Sequence, residues 1–164
     1  MANVLNKQNV RNSTDDARRR FIDDLGHLYA RFGLPVTFGR TFALLLLRDR
    51  PISLDDLASE LAVSKSAVSV AARDLERVGV VRRLTSPGSR RVLYEASDDM
   101  VPIFRAQFTR VQQTLPLLQT ADALVSPGKA RQRMRDMVEL HEFWLAEADG
   151  IVERWRRRSR RAAR

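Results

Sequence analysis

Between Ser64 and Arg77 the chain gathers hydroxyls, a small apolar side chain and two guanidiniums along one side of an expected helix. Ser66, Ser69, Val70, Arg73 and Arg77 fall together at helical spacing, with Lys65 near the start. Val68, Ala71, Ala72, Leu75 and Val78 make the opposite, apolar stripe. This is a chemistry of recognition rather than of bond making. Small side chains let a helix backbone approach a duplex major groove closely. Serine hydroxyls can bond to base edges or phosphates, a valine methyl can touch a thymine methyl, and an arginine can reach guanine or phosphate. The N-terminal end of a helix also carries partial positive charge, which favours phosphate. Ser64, Lys65, Ser66, Ser69, Val70 and Arg73 are therefore the candidate contacts of this helix.

The neighbouring elements must hold that face outward. Ser53 and Asp56 have the spacing of a capping box and open a short helix through Leu54, Leu57 and Leu61. That helix stops at Ala62-Val63, and Ser64 caps the next, which runs to Gly79. Val80 to Leu84 and Arg91 to Glu95 then read as β-strands. Pro87-Gly88 between them suits a type II turn, because glycine accepts the positive φ. The ribbon presents Ser89 and Arg90 near its tip and Arg91 at its base, a shape suited to a narrow minor groove. The expected fold is mainly α (α+β): a winged helix-turn-helix over residues 35–97, with flanking helices that form a dimerisation region. Within it, Thr37 to Arg48 is apolar on most sides and should be the central core helix.

The residues from Arg31 to Ala96 resemble the MarR-type winged-helix regulators, and within them the GbsR-like subgroup. "LDDLASELAVSKSAVSVAARDLERVGVVRRL" is similar to their helix, turn, recognition helix and first wing strand. "SPGSRRVLYEA" resembles the short wing of the subgroup, and "FGLPVTFGRTFALLLLRDRPIS" the helix before it. The resemblance implies a DNA-binding transcriptional regulator whose end helices pair two copies. One departure stands out: the MarR wing carries Asp-x-Arg, its Asp bracing the Arg, where this chain has Gly88-Ser89-Arg90.

Composition agrees with a polyanionic partner. The chain has 164 residues and a net charge of +9, with a pI near 11.2. A high arginine content from base composition alone would give the same balance. With no cysteine, disulfides, thiol sensors and Cys-ligated metals are excluded. His27 and His141 are too few and too isolated for a metal site, and no cofactor fingerprint, P-loop or nucleophile elbow occurs. The paired acids Asp23-Asp24, Asp55-Asp56 and Asp98-Asp99 are accounted for by capping and solvation, so the chain is not expected to be an enzyme. No apolar run is long enough to span a bilayer and no secretory signal is evident, so a cytoplasmic location without membrane contact is expected.

The flanks explain the rest. Residues 1–14 are polar and rich in Asn, and are expected to be a flexible arm. Thr14 or Asp15 caps a helix over residues 15–34 whose stripe includes Phe21, Leu25, Leu28 and Phe32. Residues 98–155 are again helical, with Pro116 set to bend or end the first helix unless neighbours absorb the lost hydrogen bond. After Ser126-Pro127-Gly128, Met134, Val138, His141, Leu145, Ala148, Val152 and Trp155 repeat as a heptad seam, widened by Met137, Leu140, Trp144 and Ile151. The seam and the first stripe together exceed what one winged domain covers, which points to a homodimer; a helix folded back on its own domain is the alternative. Trp144 and Trp155 either pack in that interface or cage a quaternary ammonium ligand, an idea prompted by the link of GbsR-like regulators with choline and betaine metabolism. No specific effector is legible. Residues 156–164 form an Arg-rich tail, which suits either phosphate contact or a solvated helix end.

These observations converge on a homodimeric, sequence-specific regulator of double-stranded DNA, a repressor by preference, reading an inverted repeat with half-sites roughly 10 bp apart. Two other readings stay open. A sequence-independent architectural protein would bind with steep salt dependence and little preference. A winged-helix protein–protein module would lose all DNA affinity without its tail.

Overall fold

A computed structural model describes residues 2–85 and 91–162. The chain forms two compact units, Met1–Met100 and Val101–Arg164. The first holds α1 (Ala2–Arg31), α2 (Val36–Leu46), β1 (Ile52–Ser53), α3 (Leu54–Leu61), α4 (Lys65–Val78), β2 (Val81–Thr85) and β3 (Val92–Ala96). The second holds α5 (Val101–Leu124) and α6 (Lys129–Ala162). The architecture is mainly helical with one small antiparallel sheet.

Helix α2 is the centre of the first unit. Phe38, Phe42, Ala43, Leu44 and Leu45 are all buried, because α1, α3, α4 and β3 pack around it. Helix α1 crosses it at a point without side chains. A Cβ built on Gly39 would lie 2.6 Å from the Leu25 carbonyl oxygen and 2.8 Å from the Gly26 Cα. Below the crossing, Tyr29 meets Phe38 and Phe42 edge-on, at centroid distances of 5.4 and 6.4 Å. Arg40 on α2 pairs with Asp23 on α1 at 2.9 Å.

The sheet has the order β1-β3-β2, so β3 is the middle strand. β2 and β3 pair from Val81 opposite Ala96 to Thr85 opposite Val92, each strand one residue further along than the sequence suggested. β1 was not anticipated; a two-residue strand is too short for any periodicity to show. It pairs Ile52 with Tyr94 and ties the start of α3 to the base of the wing.

One boundary differs by many residues from expectation. α1 begins at Ala2 rather than Thr14 or Asp15, so the stretch expected to be a flexible arm is helical. No Gly or Pro interrupts the chain before Gly26, and polar helix formers can extend a helix already anchored by packing. Pro116 lies inside α5 without ending it. α5 packs along α6, and that packing offsets the lost bond.

In the second unit α5 and α6 run as a pair. Phe108 meets Trp144 edge-on at 5.7 Å, and Gln119 donates to Glu142 at 3.0 Å. Met134, Val138, His141 and Leu145 are half-buried, and Val152 is buried, within the single chain. Intramolecular pairing has the same heptad signature as intermolecular pairing, so the spacing alone did not separate them. The Nδ1 of His141 sits 2.8 Å from the Met137 carbonyl oxygen, within hydrogen-bond distance.

The glycine crossing yields a direct expectation. Gly39→Ala forces its methyl against backbone of α1, which cannot swing aside as a side chain can. We expect a loss of about 1–3 kcal/mol, typical of overpacking, seen as a lower denaturation midpoint at unchanged m-value. An unchanged midpoint means α1 does not cross α2 there.

Candidate nucleic-acid interface

The turn between α3 and α4 is built by local chemistry. Ser53 caps α3: its Oγ accepts from the Asp56 backbone N–H at 3.2 Å, and its hydroxyl donates to Asp56 Oδ2 at 2.6 Å. Ala62 ends the helix in the left-handed region at φ 52°, and the Val63 N–H returns to the Ala58 carbonyl at 3.0 Å. Ser64 then caps α4, its Oγ accepting from the Ala67 N–H at 3.2 Å. Gly79 closes α4 at φ 86°. The caps at Ser53, Ser64 and Gly79 are those expected from the sequence.

α4 is sharply two-faced. Val68, Ala71, Ala72 and Leu75 are buried. Ser64, Lys65, Ser66, Val70, Arg73 and Arg77 are exposed, and Ser69 is half-buried. Val70, an apolar residue, is 48% exposed, which the fold alone does not require. Arg73 donates from Nε to the Ser69 carbonyl at 3.2 Å, so its stem lies back along its own helix. The hydroxyls of Ser64 and Ser66 are 3.0 Å apart.

Several cations are held by acids, most of them on neighbouring elements. Lys65 pairs with Asp55 of α3 at 2.8 Å, and Arg77 with Asp74 at 3.0 Å. Arg48 pairs with Glu60 at 2.6 Å. On the wing, Arg82 pairs with both Glu95 and Asp98 at 2.9 Å. Such exposed pairs contribute on the order of 1 kcal/mol or less and are readily exchanged for other anions. Arg83 is exposed on β2 with no carboxylate within 4 Å among the described residues, and was not singled out from the sequence.

The wing base departs from expectation. Arg91 reaches back to α3, where its guanidinium lies 3.3 Å from Asp56 Oδ2. The Ser53 hydroxyl first, and then Arg91, hold the Asp56 carboxyl below its ordinary pKa. A lowered pKa means this contribution to folding is present above the usual carboxylate value. It is lost as pH falls through the lowered one. Gly88, Ser89 and Arg90 lie outside the described residues, so the missing Asp-x-Arg brace is not visible there. Arg91 nonetheless has an acid partner, supplied by α3 instead of the wing. An open cavity of about 440 Å³ adjoins this pair, with Arg48, Glu60 and the β1 strand among its walls. Its two cations are already bound to carboxylates. Among the described residues no three His, Cys, Asp or Glu side chains gather as a metal site requires, and no helix is long and apolar enough to cross a membrane.

Residues 32–92 match the MarR family model, and residues 98–158 match that of MmpR5-like MarR family transcriptional regulators. The chain is 22% identical over 144 residues to the putative HTH-type transcriptional regulator YvaV of Bacillus subtilis (strain 168), covering 80% of this chain and 81% of that protein. It is 23% identical over 150 residues to the HTH-type transcriptional repressor OpcR of the same organism, covering 84% and 81%. A crystal structure of a transcriptional regulator superposes with TM-score 0.75 at 22% identity, over 86% of this chain and 99% of that one. The fold is that of a winged helix-turn-helix protein. The chain belongs to the MarR family of transcriptional regulators, which are not enzymes.

The exposed face of α4 generates one expectation. Arg73→Ala removes a guanidinium but no core contact, so folding should be unchanged by thermal denaturation. If Arg73 pairs with a guanine, affinity for a specific duplex should fall by about 1–3 kcal/mol and preference at one base position should relax. Unchanged affinity on that duplex means α4 presents a different face.

Proposed function

We propose that this chain is a homodimeric, sequence-specific transcriptional repressor that works in the cytoplasm on double-stranded DNA. The observation that carries the reading is α4 itself. Its apolar face is buried at Val68, Ala71, Ala72 and Leu75, while Ser66, Val70 and Arg73 are exposed on the other side. Such a helix enters a major groove with hydroxyls and a methyl-bearing side chain near the bases. Lys65, Arg77 and Arg83 exchange weak partners or solvent for phosphates. In this reading Arg90 and Ser89 supply minor-groove contacts, and Arg91, paired with Asp56, braces the base of the wing. Repression fits the relative named as a repressor. The quoted wing and helix segments support membership of the GbsR-like subgroup.

Each unit leaves an apolar stripe uncovered. On α1, Phe21 is 42% and Leu28 45% exposed, with Leu25 half-buried between them, and Phe32 just past its end is 71% exposed. On α6, Met137, Leu140, Trp144, Ile151 and Trp155 are all exposed, and they follow one another at near-heptad spacing beside the half-buried Met134–Val152 seam. A second copy of the chain covers such a stripe with its own. The two-fold symmetry of a dimer then calls for an inverted-repeat operator with half-sites about 10 bp apart.

The assembly reading is tested on α6. The wild-type chain should sediment as a dimer at micromolar concentration. The double variant Leu140→Glu, Ile151→Glu sets charges on the exposed stripe without touching the buried seam, so it should sediment as a monomer of unchanged helix content. Specific DNA affinity should fall with it, far beyond any single contact. A wild-type monomer at that concentration contradicts both the dimer and the inverted repeat.

A further inference from the structure

The end of α6 carries a second charged feature that α4 does not explain. The helix continues through the arginine block to Ala162, so the Arg-rich segment is helical along its described length, while Arg164 lies outside the described residues. Arg154 and Arg156 have acid neighbours, Glu147 at 4.0 Å and Glu153 at 3.6 Å. Arg157, Arg158, Arg160 and Arg161 are exposed and have no carboxylate within 4 Å among the described residues. At 100° per residue they share a broad arc with Arg154, and Trp155 and Ser159 occupy the opposite side. Arg157 faces Arg160 and Arg161 at i+3 and i+4, spacings at which like charges oppose the helix. The helix macrodipole favours cations in the last turn, but it does not reward like charges crowded on one arc.

We propose that this helical end is a second, sequence-independent contact that grips duplex phosphates; it rests on the reading of the chain as a DNA-binding regulator. The four arginines span about 6 Å of helix axis, one charge per roughly 2 Å. Duplex DNA carries one negative charge per about 1.7 Å of its own axis, so the two line charges match closely. An anionic membrane is a poorer partner, because within the arginine block the opposite face offers only Trp155 and a serine, and the apolar stripe before it is the one assigned to the second copy. Tethering to a winged helix already on the duplex adds effective concentration, so four modest contacts act on DNA held nearby.

The test uses the full chain with Arg157, Arg158, Arg160 and Arg161 all changed to Gln, which keeps length and helix propensity. Binding is measured by fluorescence anisotropy from about 50 to about 200 mM salt. The probes are a duplex selected from a randomised pool by the wild-type chain, a random duplex, and vesicles rich in phosphatidylserine. On both duplexes the slope of log K against log salt should shrink by about 3–4 per chain. The ratio of selected to random affinity should stay within about twofold of wild type. An unchanged slope on both duplexes overturns the proposal. So does a variant that loses vesicle binding while its DNA slope is unaltered. If the wild-type chain selects no sequence, the regulatory reading has failed instead, whatever the slopes. A wild-type chain that selects a sequence, with a variant of unchanged slope, leaves that reading standing and removes only this one.

Discussion

The first unit depends on α2 being covered on nearly every side. A helix with Phe38, Phe42, Leu44 and Leu45 at successive turns cannot leave any broad face in water, so α1, α3, α4 and β3 must all lie against it. That demand fixes α4. Its Val68–Leu75 stripe is committed to the core, and whatever lies opposite must face outward. The direction in which Ser66, Val70 and Arg73 point is therefore a consequence of packing at α2. The glycines at the α1 crossing serve the same end, since only backbone without a Cβ lets α1 come so near at Gly39.

What was legible in the sequence was mostly local. Ser53, Ser64 and Gly79 act within a few residues of themselves, so their caps could be read from spacing. The face of α4 followed from a period of 3.6 over 14 residues. What stayed hidden depends on distant parts of the chain meeting. The two-residue strand β1 exists only because Tyr94 and Leu93 lie beside it. The pairs Lys65–Asp55 and Arg91–Asp56 join residues whose proximity only the folded turn creates. Asp55 and Asp56 were read as capping and solvated acids; Asp56 does take part in the cap, and both also hold cations. The helical reach of α1 to Ala2 shows the same limit: an anchored helix extends through sequence that composition alone suggests is loose.

The α6 heptad pattern is the clearest case of a signal with two solutions. The seam at Met134, Val138 and Leu145 is already half-covered in one chain, where α5 supplies a neighbour. The residues left over are those one step round the helix, Leu140, Trp144 and Ile151 among them. A dimer built from these is shifted in register from the one that the seam alone would give. The ion pairs of the winged unit are exposed, so they add little stability.

Methylation interference on a selected duplex tests the central claim most directly, because N7 of guanine is exposed only in the major groove. The account predicts interference in two clusters related by a two-fold axis, with centres about 10 bp apart. Arg73→Ala should remove the effect at one base position in each cluster. Binding that tolerates methylation at every guanine of a selected duplex that carries guanines in both half-sites would contradict it, since α4 would then not lie in the major groove.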